Sequence, residues 1–163
     1  MDRLLPHAQR AVALLTARKQ TIAVAESSAG GLITAALLAV PGASACVRGG
    51  IVVYTYDMRR AILGISDAEM KGITPSTEAY ALLKARRTRE RVASDWALTE
   101  TGAAGPTGSR YGYPPGHACF AVAGPVERTR TLETGNGDRV ANMYAFAAAA
   151  LDFLAETIEA KPG

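Results

Sequence analysis

The most constraining feature of this sequence is an apolar run that passes through a glycine-rich turn into a second, helical run. Residues 21–25, TIAVA, are apolar on both sides of an extended chain. Residues 26–31 contain two serines and two glycines, and residues 32–40 are again apolar and end at Pro41-Gly42. A short strand that is apolar on both faces belongs in a sheet covered by helices on both sides. The segment therefore predicts a strand, a tight turn and a helix, as in α/β domains.

The rest of the chain repeats this alternation with short connections. Together these patterns predict one domain over residues 1–163, an α/β fold of three layers with a mixed, mostly parallel sheet and helices on both faces. Helical spacing or capping residues predict helices over residues 5–18, 57–63, 66–72, 75–92 and 138–158. Apolar and β-branched runs predict further strands over residues 51–56, 96–101, 117–123 and 129–134.

Composition limits the functions open to the chain. It has no apolar run of the ~18 residues needed to span a bilayer, and its first residues lack the apolar segment of a secretory signal. We therefore expect a cytoplasmic protein with no membrane partner. Cys46 and Cys119 do not form a metal-binding pair, and His7 and His117 have no ligand-like neighbours. The cysteines are thus expected to be reduced thiols in the core, with neither a metal nor another cofactor bound.

A basic run at residues 84–91 has two interpretations. Five of its eight residues are lysine or arginine, which suggests a nucleic-acid footprint. The run has no interleaved aromatic residues, however, and the net charge of the whole chain is only +3. The alternative, a solvated helix face, is therefore favoured over nucleic-acid binding.

Three glycine-containing loops are expected to meet where strands end, which is the usual ligand crevice of an open α/β sheet. They are residues 26–31, 41–50 and 101–108. In the first loop, Ser27 and Ser28 precede a helix whose free N–H groups favour an anion such as phosphate. The alternative is that the serines only cap the helix and the glycines permit close packing. The spacing matches neither a P-loop nor a dinucleotide-binding fingerprint.

Taken together, the loops resemble one known family. The motifs, in order, are Ala25-Glu-Ser-Ser-Ala-Gly-Gly31, Pro41-Gly-Ala-Ser44, Arg48-Gly-Gly-Ile-Val-Val-Tyr54, Leu63-Gly64, Thr101-Gly-Ala-Ala-Gly-Pro106 and Gly137-Asp-Arg139. This set resembles the CinA C-terminal domain family over residues 14–154. The family includes nicotinamide mononucleotide deamidases, so the resemblance implies hydrolysis of that carboxamide to the nicotinate nucleotide and ammonia, without a metal.

The resemblance places the catalytic residues at Ser44, Tyr54 and Arg59, and a small nucleotide is the expected ligand. Substrate contacts are expected from the loop residues and from one arginine: Ser27, Ser28, Gly30, Gly31, Thr101, Gly102, Gly105 and Arg139. Arg59 stands where the family has lysine, and a guanidinium has no lone pair with which to activate a serine. Arg59→Lys is therefore expected to raise deamidation.

Further departures leave the function open between alternatives. Ser28 and Ala29 replace a cysteine and a threonine of the family motif, and the segment Asn142-Met143 lies where a second arginine is usual. The chain is therefore either a nucleotide amidohydrolase or a degenerate paralogue that binds a nucleotide-like ligand without turnover. A structural or partner-binding domain is the third alternative, and the alanine-rich last helix would suit self-association into a homo-oligomer.

These hypotheses predict positions that a structure can check. Ser27, Ser44, Tyr54 and Thr101 should surround one pocket, because their loops are expected to leave the same edge of the sheet. An anion should bind beside residues 27–31 and Arg139. Glu100, at the end of a strand, is a candidate ion-pair partner of Arg59.

Overall fold

The fold is built on a five-stranded sheet. The computed structural model describes residues 1–161. The sheet order is β2-β1-β3-β4-β5, with β1 at Ile22–Glu26, β2 at Val47–Val52, β3 at Trp96–Ala103, β4 at His117–Ala123 and β5 at Glu127–Glu133. Strand β1 runs parallel to β2 and β3, whereas β4 is antiparallel to β3 and β5.

The described residues form five α-helices, four of which cover the two faces of the sheet. They are α1 at Leu5–Ala17, α2 at Leu32–Leu38, α3 at Tyr56–Met58, α4 at Glu78–Val92 and α5 at Arg139–Glu159. Helices α1, α2 and α5 pack on one face and on one another, while α4 packs on the other face against β1, β3 and β4. The three-layer α/β prediction is therefore confirmed.

The core is divided between these two faces. On the side of α1, α2 and α5, large side chains such as Trp96 and Phe120 from the sheet pack with Phe146 and Leu151 from α5. On the side of α4, the contacts are mainly between alanines, including Ala81 and Ala121. Small side chains at this second interface let α4 lie close to the sheet. Both cysteines are buried free thiols, as expected.

The sheet is mixed and mostly parallel, as predicted. Within residues 1–161, β1, β2, β3 and β5 run in one direction and β4 runs against them, because β4 is antiparallel to both of its neighbours. The tight connection at residues 124–126 returns β5 beside β4, and a connection that short joins antiparallel neighbours. Strand β2 also begins at Val47 and includes Gly49-Gly50. A Cβ at Gly50 would lie 1.9 Å from the Thr34 hydroxyl of α2, so only glycine allows this contact.

The segment after β2 also begins differently from its prediction. The hydroxyl of Thr55, not Asp57, caps the helix by accepting the Met58 N–H. Helix α3 then continues as a π-helical turn over Arg59–Leu63. Among residues 1–161, no helix is both long enough and apolar enough to cross a membrane.

Candidate functional site

A cavity of about 380 Å³ opens at the carboxyl ends of β1 and β3. These neighbouring strands are parallel, so the loops that follow them leave the same edge of the sheet. The segment after β2 and the start of α5 complete the wall. Of the predicted site residues, seven line the cavity: Ser27, Ser28, Tyr54, Thr101, Gly102, Gly105 and Arg139. The glycine loops are therefore not packed shut.

Arg139 joins two parts of the cavity mouth. Its Nη1 donates to the carbonyl of Gly105 at 2.7 Å, and its Nη2 donates to the hydroxyl of Tyr54 at 3.1 Å. The Tyr54 side chain is exposed, with 61% of its surface accessible. Gly105 has φ +107°, and a Cβ there would lie 2.7 Å from the carbonyl oxygen of Gly137. Glycine at this position thus lets the loop after β3 approach the start of α5.

Ser44 lies elsewhere, and the prediction that it joins this pocket is wrong. It belongs to a 3₁₀ turn, Ala43–Ala45, immediately before β2. Because Val47 pairs with Ile22 and Val52 with Glu26, this turn lies at the amino ends of the parallel strands. Tyr54 follows the carboxyl end of β2, so the length of the strand separates it from Ser44. The sequence argument failed because it treated the loop before a strand like the loops after strands.

Arg59 is also not where an activating group would be. Its side chain is only 2% exposed, its Nη2 pairs with the Asp67 carboxylate, and its guanidinium lies 5.1 Å from the centre of the Tyr56 ring. Arg59 does not line the cavity, although Tyr56 does. Its predicted partner Glu100 is bonded to other groups, so the expected ion pair between Arg59 and Glu100 is wrong.

The helix N-terminus that was expected to hold an anion is already occupied by a side chain. The Glu26 carboxylate accepts the N–H groups of Gly31, Ile33 and Thr34 at 3.0, 2.9 and 2.8 Å. Burial raises the pKa of Glu26, while the bonds from Thr34 and Ile33 oppose that rise. Neither Gly30 nor Gly31 lines the cavity. The N–H groups that were expected to hold an external anion are therefore bonded to the protein's own carboxylate, and binding of an anion beside Arg139 stays a prediction.

A second buried carboxylate, Glu100 on β3, lies against the loop after β1. One of its oxygens, Oε2, accepts the N–H groups of Ser27 and Ala29, each at 2.9 Å. The other oxygen, Oε1, accepts the hydroxyl proton of Ser28. Glu100 is wholly buried, whereas Ser28, at 5% exposure, lines the cavity. A serine of the cavity wall thus donates its hydroxyl proton to a carboxylate that the backbone holds in place.

Lys84 is a further buried ionisable side chain, and the interpretation of residues 84–91 as a solvated helix face is wrong at this position. Its side chain is 0% exposed, and its Nζ donates to the carbonyl of Glu100 at 2.9 Å. Burial lowers the pKa of Lys84 to about 8, against the opposing attraction of Glu100 and Glu26. The signal was present in the sequence, because Lys84 lies four residues after Tyr80 and so shares its helix face.

Tyrosines form much of the remaining wall. Tyr54, Tyr56, Tyr80 and Tyr111 all line the cavity, and the hydroxyls of Tyr56 and Tyr111 lie 2.7 Å apart. Burial raises the pKa of Tyr80 to about 12, so its hydroxyl is protonated at neutral pH. No cluster of three or more metal-ligating side chains occurs within residues 1–161.

Comparison with known proteins finds the same domain across the chain. The sequence model described as the CinA C-terminal domain matches residues 5–158. A CinA-like protein of Gloeobacter violaceus is 41% identical over 126 residues, which are 77% of this chain and 29% of that protein. A CinA-like protein of Chlorobaculum tepidum is 37% identical over 145 residues, 86% of this chain and 34% of that protein. The chain thus spans about a third of the length of these relatives.

Solved structures agree on the fold. The competence/damage inducible protein CihA of Agrobacterium tumefaciens has a TM-score of 0.87 and 28% identity, with 96% of each chain covered. A CinA superfamily protein of Klebsiella pneumoniae has a TM-score of 0.90 at 24% identity, covering 97% of this chain and 99% of that one.

Proposed function

Because the chain belongs to the CinA C-terminal domain family, we propose that its cavity binds a pyridine nucleotide and hydrolyses the carboxamide of nicotinamide mononucleotide. The products are the nicotinate nucleotide and ammonia. Competence/damage-inducible proteins share the family. The amidase activity is our proposal for this chain.

The observation that carries the proposal is the pairing of Arg139 with Tyr54 across the cavity mouth. Nicotinamide mononucleotide joins a cationic ring to a phosphate through a ribose. Guanidinium groups bind phosphate through charge-assisted hydrogen bonds, and tyrosine faces attract cations. The two kinds of group needed at opposite ends of this ligand therefore lie within one small opening.

The rest of the cavity is consistent with the same ligand. Its volume, about 380 Å³, falls within the range of small-molecule sites. Ser27 and Thr101 line it, and serine and threonine hydroxyls can bond a ribose. Tyr80, Tyr56 and Tyr111 supply additional ring surface beside the pyridine.

A second candidate function, binding without turnover, is favoured by the positions of Ser44 and Arg59. Ser44 lies at the amino ends of the parallel strands, opposite the cavity, and Arg59 is buried against Asp67. If the family's chemistry depends on both positions within one chain, the cavity retains only its capacity to bind.

One experiment separates these functions. The protein is incubated with nicotinamide mononucleotide, ammonia is measured enzymatically, and the nucleotide product is identified by chromatography and mass. Calorimetry under the same conditions measures binding. Equal amounts of ammonia and nicotinate nucleotide support the amidase, and binding without ammonia supports the second function. Absence of both binding and product overturns both.

A further inference from the structure

We infer that Ser28 is the nucleophile of this cavity and Glu100 its general base, an assignment that rests on the proposed hydrolysis of a pyridine nucleotide carboxamide. It differs from the resemblance, which places the serine at residue 44 and the activating group at residue 59.

Ser28 and Glu100 have the arrangement that an activated serine requires. The Ser28 hydroxyl donates to Oε1 of Glu100, and Ser28 is one of the residues that line the cavity. A serine hydroxyl becomes an effective nucleophile when an adjacent base accepts its proton. The base in turn must be held in orientation, and the N–H groups of Ser27 and Ala29 hold the other carboxylate oxygen.

Other hydroxyls in the cavity lack this partner. Within residues 1–161, Ser28 is the cavity-lining residue whose hydroxyl donates to a carboxylate. Tyr56 and Tyr111 bond each other, and Thr55 caps its own helix. Arg59 does not line the cavity, and a guanidinium has no lone pair with which to accept the serine proton.

Lys84 acts on this pair as a positioning residue. Its ammonium group donates to the main-chain carbonyl of Glu100, which fixes the strand end that carries the carboxylate. Its positive charge also attracts the buried carboxylates of Glu100 and Glu26. Without Lys84, the positive charge of its ammonium group would no longer offset the negative charge of the two glutamates. Burying an unpaired charge costs free energy.

The chemical step balances with water as the only co-reactant. Ser28 Oγ attacks the carboxamide carbon as Glu100 accepts its proton. Collapse of the tetrahedral intermediate breaks the C–N bond, and Glu100 returns that proton to the departing nitrogen, which leaves as ammonia. Water then attacks the acyl ester of Ser28, with Glu100 accepting one of its protons and passing it to Oγ. The nicotinate nucleotide is released and the serine is restored.

The test uses two readouts, so that this assignment and the proposed function can fail separately. The first is turnover of nicotinamide mononucleotide. The second is covalent labelling by a small alkyl fluorophosphonate, which transfers its phosphonyl group to an activated serine and releases fluoride. Peptide mapping by mass spectrometry locates the label. The labelling readout needs no knowledge of the natural substrate.

Three variants are compared with the wild type. Ser28→Ala is expected to abolish labelling and any turnover. Glu100→Gln, which keeps the shape but removes the base, is expected to slow both by about 100-fold or more. Ser94→Ala is the matched control, because Ser94 is also buried but lies just before β3, where its hydroxyl donates to the Trp96 carbonyl. This control is expected to react at the wild-type rate. Thermal melting verifies folding of each variant.

The outcomes distinguish the two hypotheses. Labelled Ser28 without turnover supports the pair and overturns the amidase. Turnover that persists in Ser28→Ala overturns the pair and leaves the amidase standing. A label on another residue, or none on the wild type, also overturns the pair. Lys84→Met tests positioning, because loss of its charge should move the acidic limb of the pH profile of turnover or labelling upward by about one unit. If the acidic limb of the pH profile does not move in Lys84→Met, Lys84 has no positioning role in the mechanism.

Discussion

The guanidinium of Arg139 donates to the hydroxyl of Tyr54 at 3.1 Å, joining the first turn of α5 to the segment that follows β2. The two residues are 85 positions apart in the sequence. Because the same guanidinium also donates to Gly105, three separate segments meet at one side chain. This contact defines the mouth of the cavity, and it leaves part of the guanidinium's donor capacity for a ligand.

Arg139→Ala is expected to weaken binding of nicotinamide mononucleotide by about 10-fold or more, the value of one charge-assisted hydrogen bond. Binding of nicotinamide riboside, which lacks the phosphate, should change much less. Calorimetry with both ligands measures the difference. Arg10→Ala is the control, because Arg10 forms an exposed pair with Glu159 away from the cavity. Equal losses for the two ligands would exclude a phosphate contact by Arg139.

Arg59→Lys is not expected to raise deamidation, contrary to what the sequence alone suggests. A gain in activity would require the lysine amine to lie beside Ser44. That serine lies at the amino ends of the parallel strands, whereas the cavity lies at their carboxyl ends. A lysine at residue 59 would instead face Asp67 and the Tyr56 ring. Ammonia release by the variant and by the wild type checks this. A clear gain in the variant would show that residue 59 can reach the reacting carboxamide.

Most of the fold could be predicted from the sequence, because its periodic elements are strong. The strand at residues 21–25, the capped helix that begins after Asp138 and the close-packed β4 and β5 all lie within a few residues of their predicted positions. The prediction of strand β2 was less accurate, because the strand covers Val47–Val52 and not residues 51–56. Its Gly49-Gly50 pair suggests a turn, and only the contact of Gly50 with Thr34 explains why glycine lies within the strand.

The cavity could be predicted in part. Loops that follow neighbouring parallel strands leave the sheet at the same ends of those strands. Strand order was therefore enough to predict that Ser27, Tyr54 and Thr101 lie around one cavity. The carboxylate contacts could not be predicted, because a glutamate that bonds main-chain N–H groups has no periodic signal. Glu26 and Glu100 illustrate this, since each satisfies backbone donors that a sequence argument leaves free for a ligand.

Gly105→Ala is expected to destabilise the protein more than Gly112→Ala does. Both glycines have left-handed backbones, with φ +107° and +91°. A new Cβ at residue 105 would meet the Gly137 carbonyl oxygen, whereas one at residue 112 has nothing within 4 Å. The clash should add about 1–3 kcal/mol to the loss of unfolding free energy. Urea unfolding of both variants measures it, and equal losses would contradict the close contact.

The burial of Lys84 predicts how the free energy of unfolding changes with pH. The pKa of Lys84 is about 8 in the folded protein, below its ordinary value of 10.5, because burial disfavours the ammonium form. Between these pH values the unfolded chain binds more protons at this residue than the folded one. The free energy of unfolding contributed by Lys84 must therefore rise with pH across that window and stay level below and above it.

Comparison with Lys84→Met removes the titration of residue 84 and leaves the other groups that titrate at alkaline pH in place. The unfolding free energy of the wild type minus that of the variant should increase by about 3 kcal/mol between pH about 8 and 10.5. Urea unfolding at a series of pH values measures it. Lys71→Met is the matched control, because Lys71 is exposed and the corresponding difference should stay flat. A flat difference for Lys84 as well would mean that water reaches its ammonium group, and the account of Lys84 as a buried charge beside Glu100 would then be wrong.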